Sequence, residues 1–351
     1  MKHIVFRLEA GYGLGHFKRC DSIAKKIHGE YNIGFYSIYQ DTIDTILKEK
    51  TAYNIHKFPS QRYPTNEFQE YYMCEHIAQR MQAGVYVIDM NDRQPSIEGL
   101  RLLKRYGWKN VIIDIPWFLE NEEYKTVVNA FIMTHDHSCD KNIIHNPKNG
   151  IYSSPDFFVI NDDFLSIKPK PMYQRRKEIY YFGGSTDIDL ILPTLSRQLT
   201  YEKIKNHPII HEYVNIFLHS KHSYFYTKEK EEYNISLNPL IYHTIWDNNI
   251  YEDLSYSSAI VCRFGRMMYE AIYLRMPCLV ITTNEQDEKD ADYFANKYEC
   301  IVHAGNIKKK GFNILDKLTE LYEKYLSIYE VNNIIDGLAS KRIADLIISM
   351  T

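Results

Sequence analysis

Three stretches of the 351-residue sequence set reactive side chains beside backbone that a ligand can approach. The first is EAGYGLGHFKRCDS, in which Gly11, Gly13 and Gly15 alternate and His16 follows at once. Glycines let the chain turn tightly and let a ligand come close to the main chain. A turn that opens into a helix presents N–H groups and a positive dipole end. Gly13 and Gly15 are therefore candidate ligand contacts. His16 is a candidate general base, able to take a proton from an attacking hydroxyl or water. The spacing is not the G-x-G-x-x-G of dinucleotide folds, and no Walker lysine follows Gly15. A helix-capping turn with an incidental histidine is the plain alternative.

The second stretch, SAIVCRFGRMMYEAIYLRMPCLVITTNEQD, reads as strand, turn at Gly265, helix, a Pro277 entry, strand and polar loop. Backbone N–H groups from Gly265 through Arg266 to Met267 can hold a diphosphate. Glu270, in the first turns of that helix with Tyr269, can accept hydrogen bonds from both hydroxyls of a ribose. The bland alternative is a solvated helix residue. The third stretch is YYFGGSTDIDL, a strand running into Gly183, Gly184, Ser185 and Thr186. Paired glycines with hydroxyls at a strand's carboxyl end suit a phosphate. Asp187 and Asp189 form a DxD that could hold a metal with a diphosphate, although helix capping explains Asp187 as well. A fourth segment, THDHSCDKNIIH, carries His135, Asp136, His137, Cys139, Asp140 and His145. The residue types suit zinc, the spacing matches no closed site, and the segment reads as a polar loop. No G-x-S-x-G elbow supports a catalytic serine.

The elements that must position these residues alternate strand and helix, as in an α/β protein with parallel sheets. HIVFRL (3–8), NIGFYSI (32–38), VYVIDM (85–90), KNVIIDI (109–115), TVVNAF (126–131) and DFFVIN (156–161) read as strands. Helical spacing starts at Phe17, recurs in DTIDTILKE (41–49), and fills IEGLRLLKRYG up to Gly107. SIKPKPMYQRRKE (166–178) has two prolines and a basic run, and reads as a linker. A second series follows, with strands at 179–184, 213–220, 223–228, 259–265, 276–283 and 300–304, and a helical end broken near Asn332–Asp336. The expected domains are 1–165, linker 166–178, 179–332, and a terminal helix over 333–351. Two such domains suggest a ligand held between them.

Composition narrows the class. A hydrophobic share of 45% in a chain of this length supports a sizeable core, and a net charge of −3 argues against a nucleic-acid surface or polybasic membrane patch. The N-terminal apolar run is broken by Arg7 and Glu9, as in a first strand and unlike a signal peptide. No apolar run is long enough to span a membrane. Six scattered cysteines without CxxC spacing read as free thiols, so a cytoplasmic location is expected.

Taken together, these stretches resemble the hydrolases of the pseudaminic-acid pathway and their spore-coat polysaccharide relatives, the PseG/SpsG-like proteins. The resemblance rests on Gly-x-Gly-His followed by Lys18-Arg19-Cys20 and a helix. It rests also on paired strands ending in Asp89 and Asp114, on SSPDFFVINDDF before IYYFGGSTD, and on SSAIVCRFGRMMYEAIYLRMPCLVITTNEQDEKDADYFAN. The ending IIDGLASKRIADLI is similar to the family's closing helix. The similarity covers nearly the whole chain. It implies a GT-B architecture: two Rossmann-like domains facing across a cleft, with a C-terminal helix crossing back to the first. It implies a UDP-sugar substrate gripped mainly by the C-terminal domain, and metal-independent, inverting cleavage at the anomeric carbon with His16 as base. Under that resemblance Asp89, Gln286 and Asp287 join the substrate contacts, and no metal cofactor is expected.

The chain also departs from the family pattern. Phe264-Gly265-Arg266 stands where small residues are usual. The family's Asp-His-Tyr is Asp89-Met90-Asn91 here, so its catalytic tyrosine is missing. Arg263 or Arg266 beside a diphosphate could compensate electrostatically, or each is a solvated arginine. Three functions follow as expectations: a nucleotide-sugar hydrolase for nonulosonic-acid or surface-polysaccharide synthesis; an inverting glycosyltransferase with a glycan, lipid or protein acceptor; and a non-catalytic sugar-nucleotide-binding protein. Residues 57–80 are room for an acceptor site.

Overall fold

A computed structural model describes residues 2–8, 15–37, 53–57, 66–90, 95–136, 143–182, 190–210, 215–220, 241–245, 250–326 and 334–351. The chain divides into two units. Unit 1 is Met1–Asn161 with Asp336–Thr351, and unit 2 is Asp162–Ile335.

Unit 1 is built on strands β1 (Lys2–Leu8), β2 (Tyr31–Ser37), β3 (Asn54–Lys57), β4 (Val85–Asp89), β5 (Lys109–Ile113), β6 (Ala130–Met133) and β7 (Ile151–Ser153), with helices α1 (Gly15–Ala24), α2 (Asn66–Arg80), α3 (Ile97–Arg105) and α4 (Glu122–Val127). The sheet order is β3-β2-β1-β4-β5-β6-β7, parallel throughout. Alternation along each strand feeds two cores. Ile4, Phe6, Val85 and Val87 face Phe17, Cys20 and Ile23 of α1. Val5, Ile88 and Ile112 face Met73 and Ile77 of α2 and Leu100 and Leu103 of α3. Arg7, which interrupts the apolar run of β1, is fully buried. Its Nε donates to Glu70 of α2 at 2.9 and 3.1 Å and its Nη1 to the Leu8 carbonyl at 2.7 Å, so the charge is paired and hydrogen-bonded.

Unit 2 contains α5 (Asp162–Leu165), α6 (Ile191–Gln198), α7 (Tyr201–Lys205), α8 (Ile250–Tyr256), α9 (Arg266–Tyr273), α10 (Glu285–Lys297) and α11 (Ile314–Leu326). Its strands are β8 (Arg176–Phe182), β9 (Asn215–Ser220), β10 (Ile241–Ile245), β11 (Ser257–Arg263), β12 (Cys278–Thr282) and β13 (Ile301–Asn306), ordered β10-β9-β8-β11-β12-β13 and again parallel. The last helix, α12 (Ala339–Met350), returns to unit 1, where Ala339, Ile343, Ala344 and Ile347 join the α1 side of the core. Both sheets have the doubly wound order in which the chain reverses direction beside the first strand. In unit 1 the switch lies between β1 and β4, and in unit 2 between β8 and β11. Such folds place ligands outside the carboxyl ends of those strands.

Several sequence expectations are corrected. TVVNAF is not a strand. Glu122–Val127 is helical, with Asn121 accepting from the Glu123 N–H at 2.9 Å, and the strand starts at Ala130. That N-cap and two acidic residues in the first turn outweigh the β-branched valines. DFFVIN is not a strand either. Pro155–Phe157 forms a 3-10 turn and the ladder is made by Ile151–Ser153. Strand β8 begins at Arg176, inside the stretch read as linker. The edge strands β3 and β10 had no sequence reading. The 57–80 stretch read as acceptor room contains α2, whose Met73, Cys74, Ile77 and Ala78 are core residues. The helix at 41–49 and the strand at 223–228 lie outside the described residues. Among the described residues no helix is long and apolar enough to cross a membrane.

Candidate functional site

The carboxyl edge of the unit 1 sheet holds a continuous polar network. His16 is the second residue of α1, the helix that follows β1 in the chain. Asp89 is the last residue of β4, fully buried beside Leu8 in the ladder. His16 Nδ1 and Asp89 Oδ1 are 2.6 Å apart. The carboxylate holds the ring with its proton on Nδ1 and leaves Nε2 as the basic nitrogen. Arg19, one turn along α1 and buried, binds the same carboxylate in a fork: Nε donates to Oδ2 at 2.7 Å and Nη2 to Oδ1 at 2.5 Å. Its Nη1 reaches Asp114 and donates to Thr134 Oγ1 at 2.6 Å.

Asp114 follows β5 and adopts φ 57°, a left-handed backbone that Asp tolerates better than most side chains. There its carboxylate turns back along the edge. Oδ1 accepts from the backbone N–H of Thr134 at 2.7 Å and of His135 at 3.2 Å, while Oδ2 accepts from Thr134 Oγ1 at 2.6 Å and meets His135 Nδ1. Burial works against the ionised form of Asp89, but Arg19 and then His16 outweigh it and hold the carboxyl below the usual carboxylate range. Arg19 is correspondingly held in its charged form against the cost of burial. Burial pushes the Cys20 thiol well up, so it stands neutral against Asp89 Oδ2 at 3.4 Å.

Sequence reasoning singled out His16 and Asp89. It had Arg19 and Asp114 only as parts of a motif, and placed His135 in a zinc-like loop. In the structure His135 pairs with Asp114, and its neighbours Thr134 and Asp136 are buried. His137, Cys139 and Asp140 lie outside the described residues. Among the described residues no group of three or more His, Cys, Asp or Glu side chains is placed to hold a metal ion. A signal for Arg19 did exist: two adjacent strands that both end in aspartate need a counter-charge near their carboxyl ends. Gly15 opens α1, while Gly13 and Asn91 are not described.

In unit 2 the corresponding edge carries the turn after β11. Gly265 has φ 153°, strained for any residue with a Cβ, and stands at the N-cap of α9, where it has no side chain of its own to cap the helix. Arg266 and Met267 lie half-buried in the first turn. Glu270 is buried at 5% exposure, so it is not a solvated helix residue. Tyr269 packs inward, edge-on to Phe294 with centroids 5.5 Å apart. The next strand delivers Asn284, which accepts from the Asp287 N–H at 2.8 Å and caps α10. Asp287 lies 3.7 Å from Arg263 Nη2, and burial raises its pKa against the pull of that guanidinium. Gln286 is exposed and donates to Asp290 at 3.3 Å. Arg263 is thus tied to a carboxylate rather than merely solvated. Gly183, Gly184, Ser185, Asp187 and Asp189, after β8, lie outside the described residues.

No protein-family model matches the sequence, and no curated protein matches it significantly. Solved structures are similar in fold. MurG from Acinetobacter baumannii aligns over 99% of this chain and 100% of its own with a TM-score of 0.67 at 13% identity. UDP-GlcNAc 2-epimerase from Neisseria meningitidis, solved bound to UDP-GlcNAc, aligns over 99% and 100% with a TM-score of 0.63 at 14% identity. A glycosyltransferase from Rickettsia africae aligns over 99% and 93% with a TM-score of 0.52 at 14% identity. The fold class is α/β of the GT-B type, with two Rossmann-like units in one chain.

Proposed function

We propose that this chain is a nucleotide-sugar enzyme that cleaves a UDP-sugar at its anomeric carbon by inverting hydrolysis, with His16 as the general base. The observation that carries the reading is the 2.6 Å contact between His16 Nδ1 and the buried Asp89 at the switch point of unit 1. A base held by a carboxylate, with its second nitrogen kept basic, is what activation of a hydroxyl requires. In the reaction, water oxygen bonds to the anomeric carbon and its proton goes to His16 Nε2. The bond from that carbon to the phosphate oxygen breaks, and the electron pair leaves with the diphosphate. That leaving group needs no acid.

Unit 2 supplies the nucleotide grip in this reading. The N-terminus of α9 after Gly265 faces the diphosphate, Glu270 accepts from the ribose hydroxyls, and Arg263 and Arg266 add positive charge. The same parts serve a transfer reaction, and the likeness to a glycosyltransferase fold favours that second reading. The resemblance to the pseudaminic-acid and spore-coat family supports nonulosonic-acid or surface-polysaccharide synthesis as the use of the product. The reading uses no metal and a cytoplasmic location.

The deciding experiment incubates the protein with UDP-sugars in ¹⁸O-water without acceptor and follows products by mass spectrometry. Free sugar labelled at the anomeric oxygen is the expected result. A sugar nucleotide that stays intact until a cell-extract acceptor is added replaces hydrolysis by transfer. Conversion to an isomeric UDP-sugar without free sugar replaces hydrolysis by isomerisation of the sugar.

A further inference from the structure

Unit 2 has a histidine–carboxylate pair of its own, on a strand that the nucleotide grip does not use. His303 lies within β13, and its side chain is 7% exposed. Its Nδ1 is 2.6 Å from Asp292 Oδ1 on α10. Its Nε2 is 3.1 Å from the hydroxyl of Thr282, the last residue of β12. A carboxylate only accepts, so Nδ1 carries the proton of that bond. The hydroxyl can donate to Nε2 or accept from it, so the second bond holds whatever the charge on the ring. Thr282 is fully buried, and a sealed hydroxyl needs such a partner.

One ring therefore grips the chain twice, at Thr282 and at Asp292, on either side of the turn that opens α10. The start of that helix, between the two grips, is tied to the end of β11. Asn284 holds Asp287 with two bonds: its side-chain oxygen accepts from the Asp287 N–H at 2.8 Å, and its Nδ2 donates to Asp287 Oδ2 at 2.8 Å. The same Oδ2 lies 3.7 Å from Nη2 of Arg263, the last residue of β11. The Thr282 carbonyl accepts from the Ile307 N–H at 3.0 Å, so the strand end is a fixed base for the turn. Asp292 lies about 1.4 helical turns beyond Asp287 on the same helix, so holding it sets how the first turn of α10 is placed against β11. The Asp292 side chain is 65% exposed, and as an ion pair it adds little stability. What it adds is a fixed position.

We propose that His303 is a positioning residue of the nucleotide site: by holding Thr282 and Asp292 together it sets the first turn of α10, and through it the Asp287–Arg263 pair, for a nucleoside diphosphate. The inference rests on the reading of unit 2 as the nucleotide grip. His303 acts in it as a supporting side chain that holds the binding residues in place without touching the ligand.

The test is calorimetry of UDP binding to the full-length chain, in the wild type, His303→Leu, Asp287→Ala and the double variant. The expected result is a loss of affinity of about 3- to 10-fold for His303→Leu, the range of one net hydrogen bond. Once Asp287 is gone, the same substitution should cost less than about two-fold, because the two residues act through one path. His303→Asn, which returns an N–H donor toward Asp292, should recover part of the affinity. Affinity unchanged in His303→Leu overturns the proposal. So does an equal loss in both backgrounds, which would mean general loosening and not action through Asp287. Should His303→Leu fail to fold, Thr282→Val removes the hydroxyl from the other side of the ring and is read against Asp287→Ala in the same way. A wild type that does not bind UDP refutes the nucleotide reading, and this role falls with it; a wild type that binds, with variants that bind equally well, refutes the role alone.

Discussion

Arg19→Met keeps the buried aliphatic stem of Arg19 and removes the guanidinium between Asp89 and Asp114. Two carboxylates, at most 7% exposed, then lie together with no guanidinium between them. Breaking a buried ion pair by deleting one partner costs about 3–5 kcal/mol, and that is the expected loss for unit 1 at pH 7. The sign with pH follows from Asp89. In the wild type its folded pKa lies below the unfolded value of about 3.9, so its stabilisation is present above that pH and lost as pH falls through the folded value. Without Arg19 the largest remaining influence is burial, which favours the protonated carboxyl. The folded pKa then exceeds the unfolded one, and lowering the pH towards about 4 repairs the variant by protonating the buried acid. The deficit should therefore shrink to less than about half between pH 7 and pH 4. Native-state hydrogen exchange on the amides of β4 and β5 reads this for unit 1 alone. A deficit equal at the two pH values, or one under about 1 kcal/mol at pH 7, would refute the argument. Arg19→Lys should recover part of the loss, because the charge returns without the fork.

Other expectations concern function. His16→Ala should leave UDP affinity within about three-fold while turnover falls by roughly 10²–10⁴, measured by coupled release of UDP; wild-type turnover would make His16 structural. Glu270→Ala should weaken UDP binding by about 1–3 kcal/mol in calorimetry, the usual loss for hydrogen bonds to a charged group; an unchanged dissociation constant in a folded variant removes Glu270 from the site. Activity should persist in excess chelator, since turns and helix ends hold the phosphates in the proposed mechanism; loss restored by magnesium or manganese would make Asp187 and Asp189 ligands.

The parallel α/β order was readable wherever a strand is buried on both faces. Strand β4 is VYVID, and β5, KNVII, carries an apolar run after Asn110; each run ends at or next to an aspartate. His16 was readable because a histidine directly after alternating glycines has few structural uses. Arg19 was not singled out, because the two strand-end aspartates call for a counter-charge without saying which residue, distant in sequence, supplies it. His135 was hidden by neighbours of metal-ligating type, and only the backbone turn at Asp114 shows which carboxylate it meets. The valines of the helix Glu122–Val127 misled because β-propensity is a weak prior against a good N-cap. Strands β3 and β10 escaped because short edge strands carry little pattern.

The return of α12 to unit 1 has a consequence for synthesis. Residues 162–335 leave the ribosome as one uninterrupted block, so unit 2 has all its strands before α12 exists. Unit 1 is made first but must wait longest. The apolar face of α1 and the strands beneath it stay open to water until Ile343, Ala344 and Ile347 arrive to cover them. Then Tyr31 Oη meets Thr351 Oγ1 at 3.2 Å, and the opening strands of the sheet are closed by residues made after the whole of unit 2. The unit that holds His16 is thus completed after unit 2, and a nascent chain halted before residue 339 would present a finished second unit and an uncovered first core.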